Sequence, residues 1–215
     1  MSAPKINLAS ASPRRRELLA LLGLPFRQLA PPAAAEPSLP SDKFEAWVES
    51  AARAKALAVA SGLSSGLTVG ADTIVIHEGR ALGKPISPAE AWMMLLSLRG
   101  KDHQVITGLA VSDVNSGRTV SSHTITTVWM RSYSDEEISR YVASKDPLDK
   151  AGAYAIQNVT FHPAERIEGC YYNVVGLPLL AVVQALAELG YDIRSETRAT
   201  IPGECRGCPT GAAFS

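Results

Sequence analysis

Four cations and one oddly placed carboxylate carry the chemistry of this sequence. Arg14 and Arg15 follow Ser10 and Ser12 in the run LASASPRRRELL; Lys55 lies in an alanine-rich run; Lys84 stands between Gly83 and Pro85; and Asp72 interrupts the β-prone stretch LTVGADTIVIH. Cations gathered with serine hydroxyls and bare backbone N–H groups suit a polyphosphate, whose charges need matching once water is excluded. A carboxylate beside them can orient or deprotonate an attacking water. No cysteine or serine–histidine pair is placed by sequence to argue for a covalent intermediate.

Each residue has a plainer reading. Ile6, Leu8 and Ala9 predict a short buried strand, Ser10 to Ser12 a turn, and Ser12 with Pro13 a capped helix start leading into Leu18, Leu19 and Leu22. Such a turn attracts anions through its free N–H groups and the helix dipole. Arginines in that first turn oppose the dipole, at about 0.3–1 kcal/mol each. At about 100° per residue, Arg14 and Arg15 stand one turn before Leu18 and Leu19 on the inward face, and Arg16 points outward. They serve a phosphate, or they are a solvated basic helix start. Lys55 shares an apolar stripe with Val48, Ala51, Ala52 and Val59, on a helix predicted for 41–60 and capped by Ser41. It snorkels, or it aims at a buried anion. Asp72 is either a structural carboxylate or a base or metal ligand, because a buried Asp in a strand needs a partner. Gly70 lets another backbone or a ligand come close. Glu36, the one charge in the flap APPAAAEPSLP, is a solvated loop carboxylate or a metal or substrate contact.

The elements that must position these residues alternate between helix and strand, which predicts an α/β class. Residues 67–77 read as a buried central strand, Glu78-Gly79-Arg80 as a turn, and Pro88 to about Leu98 as a helix stopped by Gly100. HQVITGLAVSDV and RTVSSHTITTVWM read as a β-hairpin, with His103 at its start as a surface or structural residue rather than a catalyst. Ser134 and Glu137 form a capping box before a helix ending near Ser144. DPLDKAGAYAIQN (146–158) has no regular period and reads as a binding loop, or as a surface loop with an Asp149–Lys150 pair. RIEGCYYNVVG reads as a strand region, and Pro178 opens a last helix closed by Gly190.

Composition bounds the rest. With 46% hydrophobic and 20% charged residues, the chain has the make-up of a soluble globular protein. Zero net charge leaves no broad basic footprint for nucleic acid. No apolar run approaches the ~20 residues of a membrane span, and the start lacks a signal-peptide core, so a cytoplasmic protein is expected. One domain over 1–191 is expected, with a disordered tail over 192–215. Cys205 and Cys208 form a lone C-x-x-C in that tail, without the second pair a zinc site usually needs.

Taken in order, these motifs resemble the Maf family of nucleoside triphosphate pyrophosphatases. The carrying segments are LASASPRRRELL, the alanine-rich helix with Lys55, VGADTIVI, LGKP, GKDHQVITG, DPLDKAGAYAIQ and YYNVVGLPL, together covering most of residues 6–190. The resemblance implies an elongated, two-lobed α/β fold with a twisted mixed β-sheet flanked by helices, similar to the inosine triphosphate pyrophosphatases. It implies cleavage between the α- and β-phosphates with a divalent cation, Mg²⁺ or Mn²⁺, releasing a nucleoside monophosphate and pyrophosphate. Asp72 then falls on the family's proton acceptor. Ser10, Arg14, Arg15, Lys55 and Lys84 fall on substrate positions, and Glu36, after a one-residue shift, on a substrate or metal position. Arg14, Thr73 and Gln157 match the residues that mark the branch acting on dTTP and UTP, as against 7-methyl-GTP. A homodimer is implied as well. Where the family usually has GIQG, this chain has Ala155-Ile156-Gln157-Asn158: Ala155 narrows the base pocket, and Asn158 tolerates left-handed backbone. The rival reading is a non-catalytic, nucleotide-responsive regulator of cell division, which would need the cations but no carboxylate facing the phosphates.

Overall fold

Three long strands set the frame of the structure, a computed structural model that describes residues 5–32 and 39–191. They are β3 (Leu67–His77), β5 (Asp102–Asp113) and β6 (Thr119–Met130). All are rich in β-branched residues, which suit a pleated surface. They pair antiparallel, Leu67 to Ile76 against Asp113 to Gln104, and Ser112 to Asp102 against Thr119 to Trp129. β1 (Ile6–Ala9) runs parallel to β3, and β2 (Phe26–Leu29) parallel to β1, joined through α1 (Pro13–Ala20). β7 (Ala164–Glu168) closes the far side on β6, giving a mixed seven-stranded sheet in the order β2-β1-β3-β5-β6-β7. The seventh strand, β4 (Arg80–Leu82), folds back on β3 through Glu78 and Gly79. Both turn residues have positive φ, 48° and 73°, the backbone of a tight two-residue hairpin.

β1 and β4 lie against the same edge of β3 without meeting. β1 pairs as far as Gly70, and β4 begins at Val75. Ala71 to Ile74 therefore have β5 on one side and, among the described residues, no strand on the other.

Strand alternation sorts the packing. The even-numbered face of β3 and β5 takes α2 (Phe44–Ala60), with Val48 packed on Ile74, Ile76 and Ile106, and Ala52 and Ala56 on Ala110. Gly70 and Gly108 let the helix backbone touch the sheet: an added Cβ would lie 2.3 Å from the Ala52 carbonyl oxygen and 2.2 Å from that of Val48. The close approach at Gly70 is thus made by a helix. The odd-numbered face carries two separate cores. At one end Leu67, Val69, Leu109 and Val111 meet Leu19 and Leu22 and the buried side of α6 (Leu179–Glu188). At the other end Val75, Val105 and Val128 meet α3 (Pro88–Leu98), α4 (Asp135–Ala143) and Tyr154. Thr73 and Thr107 stand between the two, their hydroxyls 2.9 Å apart.

Two expected elements differ. The helix predicted from residue 41 begins at Phe44, with Lys43 in left-handed backbone (φ 52°) at the cap position and no side-chain cap, so Ser41 does not cap it. The expected strand over 166–176 stops at Glu168. Gly169 (φ 124°) turns the chain, Tyr171–Val175 form a short helix, α5, and Gly176 (φ 122°) ends it. The turn is fixed from outside the segment, by Thr126, whose hydroxyl bonds both the N–H and the carbonyl of Cys170. The last helix starts at Leu179, with Pro178 as its cap residue. Glu36 and the tail from residue 192, with its C-x-x-C, lie outside the described residues.

His103 is structural, as expected. It is 2% exposed, with Nε2 2.7 Å from the Tyr154 hydroxyl. Burial, aided by neighbouring His77, pushes its pKa down to about 4. Because the unfolded chain binds this proton near pH 6.5, stability is full above that value and falls as the pH drops toward 4. The loss should be on the order of 3 kcal/mol. Urea unfolding at pH 7 and pH 4.5 measures it, and His103→Gln should flatten the slope; an unchanged slope in that variant would assign the acid sensitivity to other groups.

Candidate active site

The site assembles around the break in the β3 edge. Ser12 caps α1 by accepting from the Arg15 N–H at 3.4 Å, with Pro13 in the first turn. Ser10, 4% exposed, turns its hydroxyl to the Ser12 N–H at 3.1 Å, so it builds the turn from within. Gln28 clamps the same turn from β2, donating to the Ser10 and Ser12 carbonyls at 2.9 and 3.3 Å. Nothing in the sequence marked Gln28, since a polar residue in a short edge strand is unremarkable.

The two arginines do different work. Arg15 is half-buried and donates from Nε to the Gly176 carbonyl at 2.8 Å and from Nη2 to the Thr73 hydroxyl at 3.1 Å. Thr107 continues the chain of bonds to the Asn173 carbonyl at 3.0 Å. Burial lowers the Arg15 pKa; the negative charge of Asp72 works against that shift, and Arg14 adds to it. Arg14 turns the other way, with Nη1 3.4 Å from Asp149 Oδ2. It lines a cleft of about 390 Å³ together with Lys150, Ala155, Gln157, Asn158 and Val159.

Asp72 sits on the even face, opposite Gly108, and accepts from Lys55 Nζ at 2.6 Å. Its side chain is 17% exposed and that of Lys55 31%. Lys55 therefore leaves the apolar stripe of α2 to meet a carboxylate rather than simply snorkelling. Thr73, the next residue, faces the opposite way, as alternation requires. β3 runs on through both residues, and β1 and β4 stop short on either side of them. Lys84 is exposed and lies two residues past Leu82, the partner of Val75, on a chain running antiparallel to β3.

The 146–158 loop forms two 3-10 turns, Asp146–Asp149 and Ala151–Ala153. Lys150, 8% exposed, is held by the Asp146 carbonyl and by Oδ1 of Asp146 and Asp149, at 2.9 and 2.6 Å. Burial alone would raise both carboxyl pKa values, but the bonds from Lys150 hold them below the usual range. Asn158 is not in left-handed backbone. Its amide bonds Asp146 at 3.0 Å, and its carbonyl accepts from the Thr160 and Phe161 N–H groups at 3.1 and 2.8 Å. Among the described residues no three of His, Cys, Asp and Glu group to hold a metal ion.

Fold and site together define a mixed-sheet α/β protein with a Lys55–Asp72 pair where β1 and β4 leave the β3 edge, and a separate cleft beside Arg14. The family model described as Maf-like protein matches residues 5–189, and the chain belongs to that family. A dTTP/UTP pyrophosphatase of Moorella thermoacetica is 50% identical over 189 residues, covering 88% of this chain and 97% of its own. One from Geobacter sulfurreducens is 46% identical over 190 residues, covering 88% and 99%. Among solved structures, the Ham1 protein of Staphylococcus aureus aligns over 86% of this chain and 99% of its own, with a TM-score of 0.47 and 16% identity. No described helix is long and apolar enough to cross a membrane.

Proposed function

We propose that this protein hydrolyses dTTP and UTP to the nucleoside monophosphate and pyrophosphate. The observation that carries the chemistry is the Lys55–Asp72 pair at the opening in the β3 edge, within reach of the Arg15 charge. The relatives named above support the substrate class. Water attacks the α-phosphorus in line; the new O–P bond forms as the bond to the bridging oxygen breaks, and that electron pair leaves with pyrophosphate. Asp72 accepts the water proton, and Lys55, 2.6 Å away, holds the carboxylate in place.

Charge distribution orients the substrate. Among the described residues, Lys55 and Arg15 outnumber Asp72 at one end, whereas Arg14 and Lys150 are balanced by Asp146 and Asp149 at the other. The triphosphate belongs at the cationic end and the uncharged base at the balanced end, against Gln157, whose amide both donates and accepts. A divalent cation, Mg²⁺ or Mn²⁺, fits a site with one protein carboxylate, since Mg²⁺ is commonly held by one or two carboxylates plus substrate phosphates and water. Glu36, the metal position the family resemblance implies, would hold it together with the substrate phosphates, leaving Asp72 as proton acceptor, and it would neutralise charge on the leaving pyrophosphate.

Product analysis over the common nucleoside triphosphates is the test. Pyrophosphate with dTMP or UMP is expected; orthophosphate with a diphosphate would overturn the proposal. kcat/KM should favour dTTP and UTP over ATP and GTP by about 10²-fold or more. Gln157→Glu should erode the preference, because a carboxylate lacks the donor a pyrimidine carbonyl needs. Equal values for dTTP and GTP in the wild type would remove the pyrimidine assignment alone.

A further inference from the structure

We propose that Asp149, held by Lys150, is a positioning residue that aims Arg14 at the base, so that base selectivity rests on a carboxylate and a lysine that need not touch the nucleotide. The inference rests on the reading of the cleft as a base site.

An arginine on the first turn of a helix can sweep a wide arc, and a single exposed carboxylate restrains it weakly. Asp149 is such a carboxylate, its side chain 68% exposed. Its two oxygens are divided: Oδ1 is taken by Lys150 at 2.6 Å, which leaves Oδ2 turned to Arg14 at 3.4 Å. Lys150 is itself immobilised, its side chain 9% exposed and tied to Asp146 as well as Asp149. The remaining Asp146 oxygen accepts from the Tyr141 hydroxyl at 2.8 Å and from Asn158 at 3.0 Å. Tyr141 in turn accepts from the Ala155 N–H at 2.9 Å. The residues on either side of Ile156-Gln157 are therefore fastened to the same ammonium that orients Asp149. One buried charge registers both walls of the cleft, Arg14 on α1 and Gln157 on the loop. A cluster with this many satisfied bonds costs little entropy per added bond, because each member is already fixed by another.

The test is kcat/KM for dTTP and GTP in the wild type, Asp149→Asn, Arg14→Ala and the double variant, with Lys150→Arg and Lys150→Met alongside. Asp149→Asn should raise KM for dTTP about tenfold with a much smaller change in kcat, and should lower the preference for dTTP by a similar factor. In the Arg14→Ala background the same substitution should have no further effect, which a merely structural role would not produce. Lys150→Arg should retain more of the preference than Lys150→Met. Unchanged KM and preference in Asp149→Asn, or an equal loss with and without Arg14, would overturn the proposal while leaving the pyrophosphatase reading intact. A wild-type protein that makes no pyrophosphate from any nucleotide would overturn both.

Discussion

Replacing Asp72 by Asn should lower kcat for dTTP by about 10²–10⁴-fold, the usual worth of a positioned general base. The substitution keeps the shape and one acceptor oxygen for Lys55, which lies 2.6 Å away, but removes the basic site. Lys55 is about one-third exposed and can turn toward solvent, so its lost partner costs little stability. Nucleotide affinity should hold or rise, since a negative charge leaves a site that takes a polyanion. Equilibrium titration of dTTP against Asp72→Asn, beside its turnover, separates the two effects. Activity within a few-fold of wild type would take Asp72 out of the mechanism. Full activity loss with lost nucleotide binding would make the carboxylate part of binding instead.

Gly108→Ala should be the most damaging single methyl group in the molecule. Its Cβ would lie 2.2 Å from the Val48 carbonyl oxygen and 2.7 Å from the Glu49 nitrogen, both backbone atoms of α2. No flexible side chain can give way, so the helix itself must shift. Overpacking of this kind costs about 1–3 kcal/mol and sometimes more. The shift also displaces Lys55, which rides on α2 above Asp72, so activity should fall at temperatures where the variant is still folded. Gly62→Ala is the control, because its nearest contact is an ordinary 3.7 Å. Thermal melts and dTTP turnover of the two variants measure both effects. A Gly108→Ala protein as stable and active as wild type would show that α2 does not need this close approach.

Local signals were readable from the sequence. The cap of α1 at Ser12 and the capping box at Ser134 and Glu137 depend on neighbours within three residues, and both form. The strand over residues 67–77 and the long hairpin follow from β-branched runs, and both fall where expected. What was not readable is set by distant parts of the chain. Tyr171–Val175 have the composition of a strand, but Thr126 on β6 and two glycines fold them into a helix. Arg14 and Asp149 stand 135 positions apart, so no spacing rule could join them. Thr73 is the clearest case. Alternation correctly placed its side chain away from Asp72. The missing fact was where β1 ends and β4 begins on a strand that itself runs straight through.

That interrupted edge also bears on solubility. An exposed strand edge is a template on which another chain can add, and proteins avoid leaving long ones open. Here the stretch without a described neighbouring strand is four residues, Ala71 to Ile74, about 13 Å at ~3.3 Å per residue, and both its end residues are buried. β1 and β4 occupy its two ends. Alternate peptide groups of a strand point to the same side, so only about two face outward, too few to hold an invading segment in register. The protein thereby keeps the edge beside Asp72 clear of a described strand without offering a surface on which copies of itself could stack into fibrils.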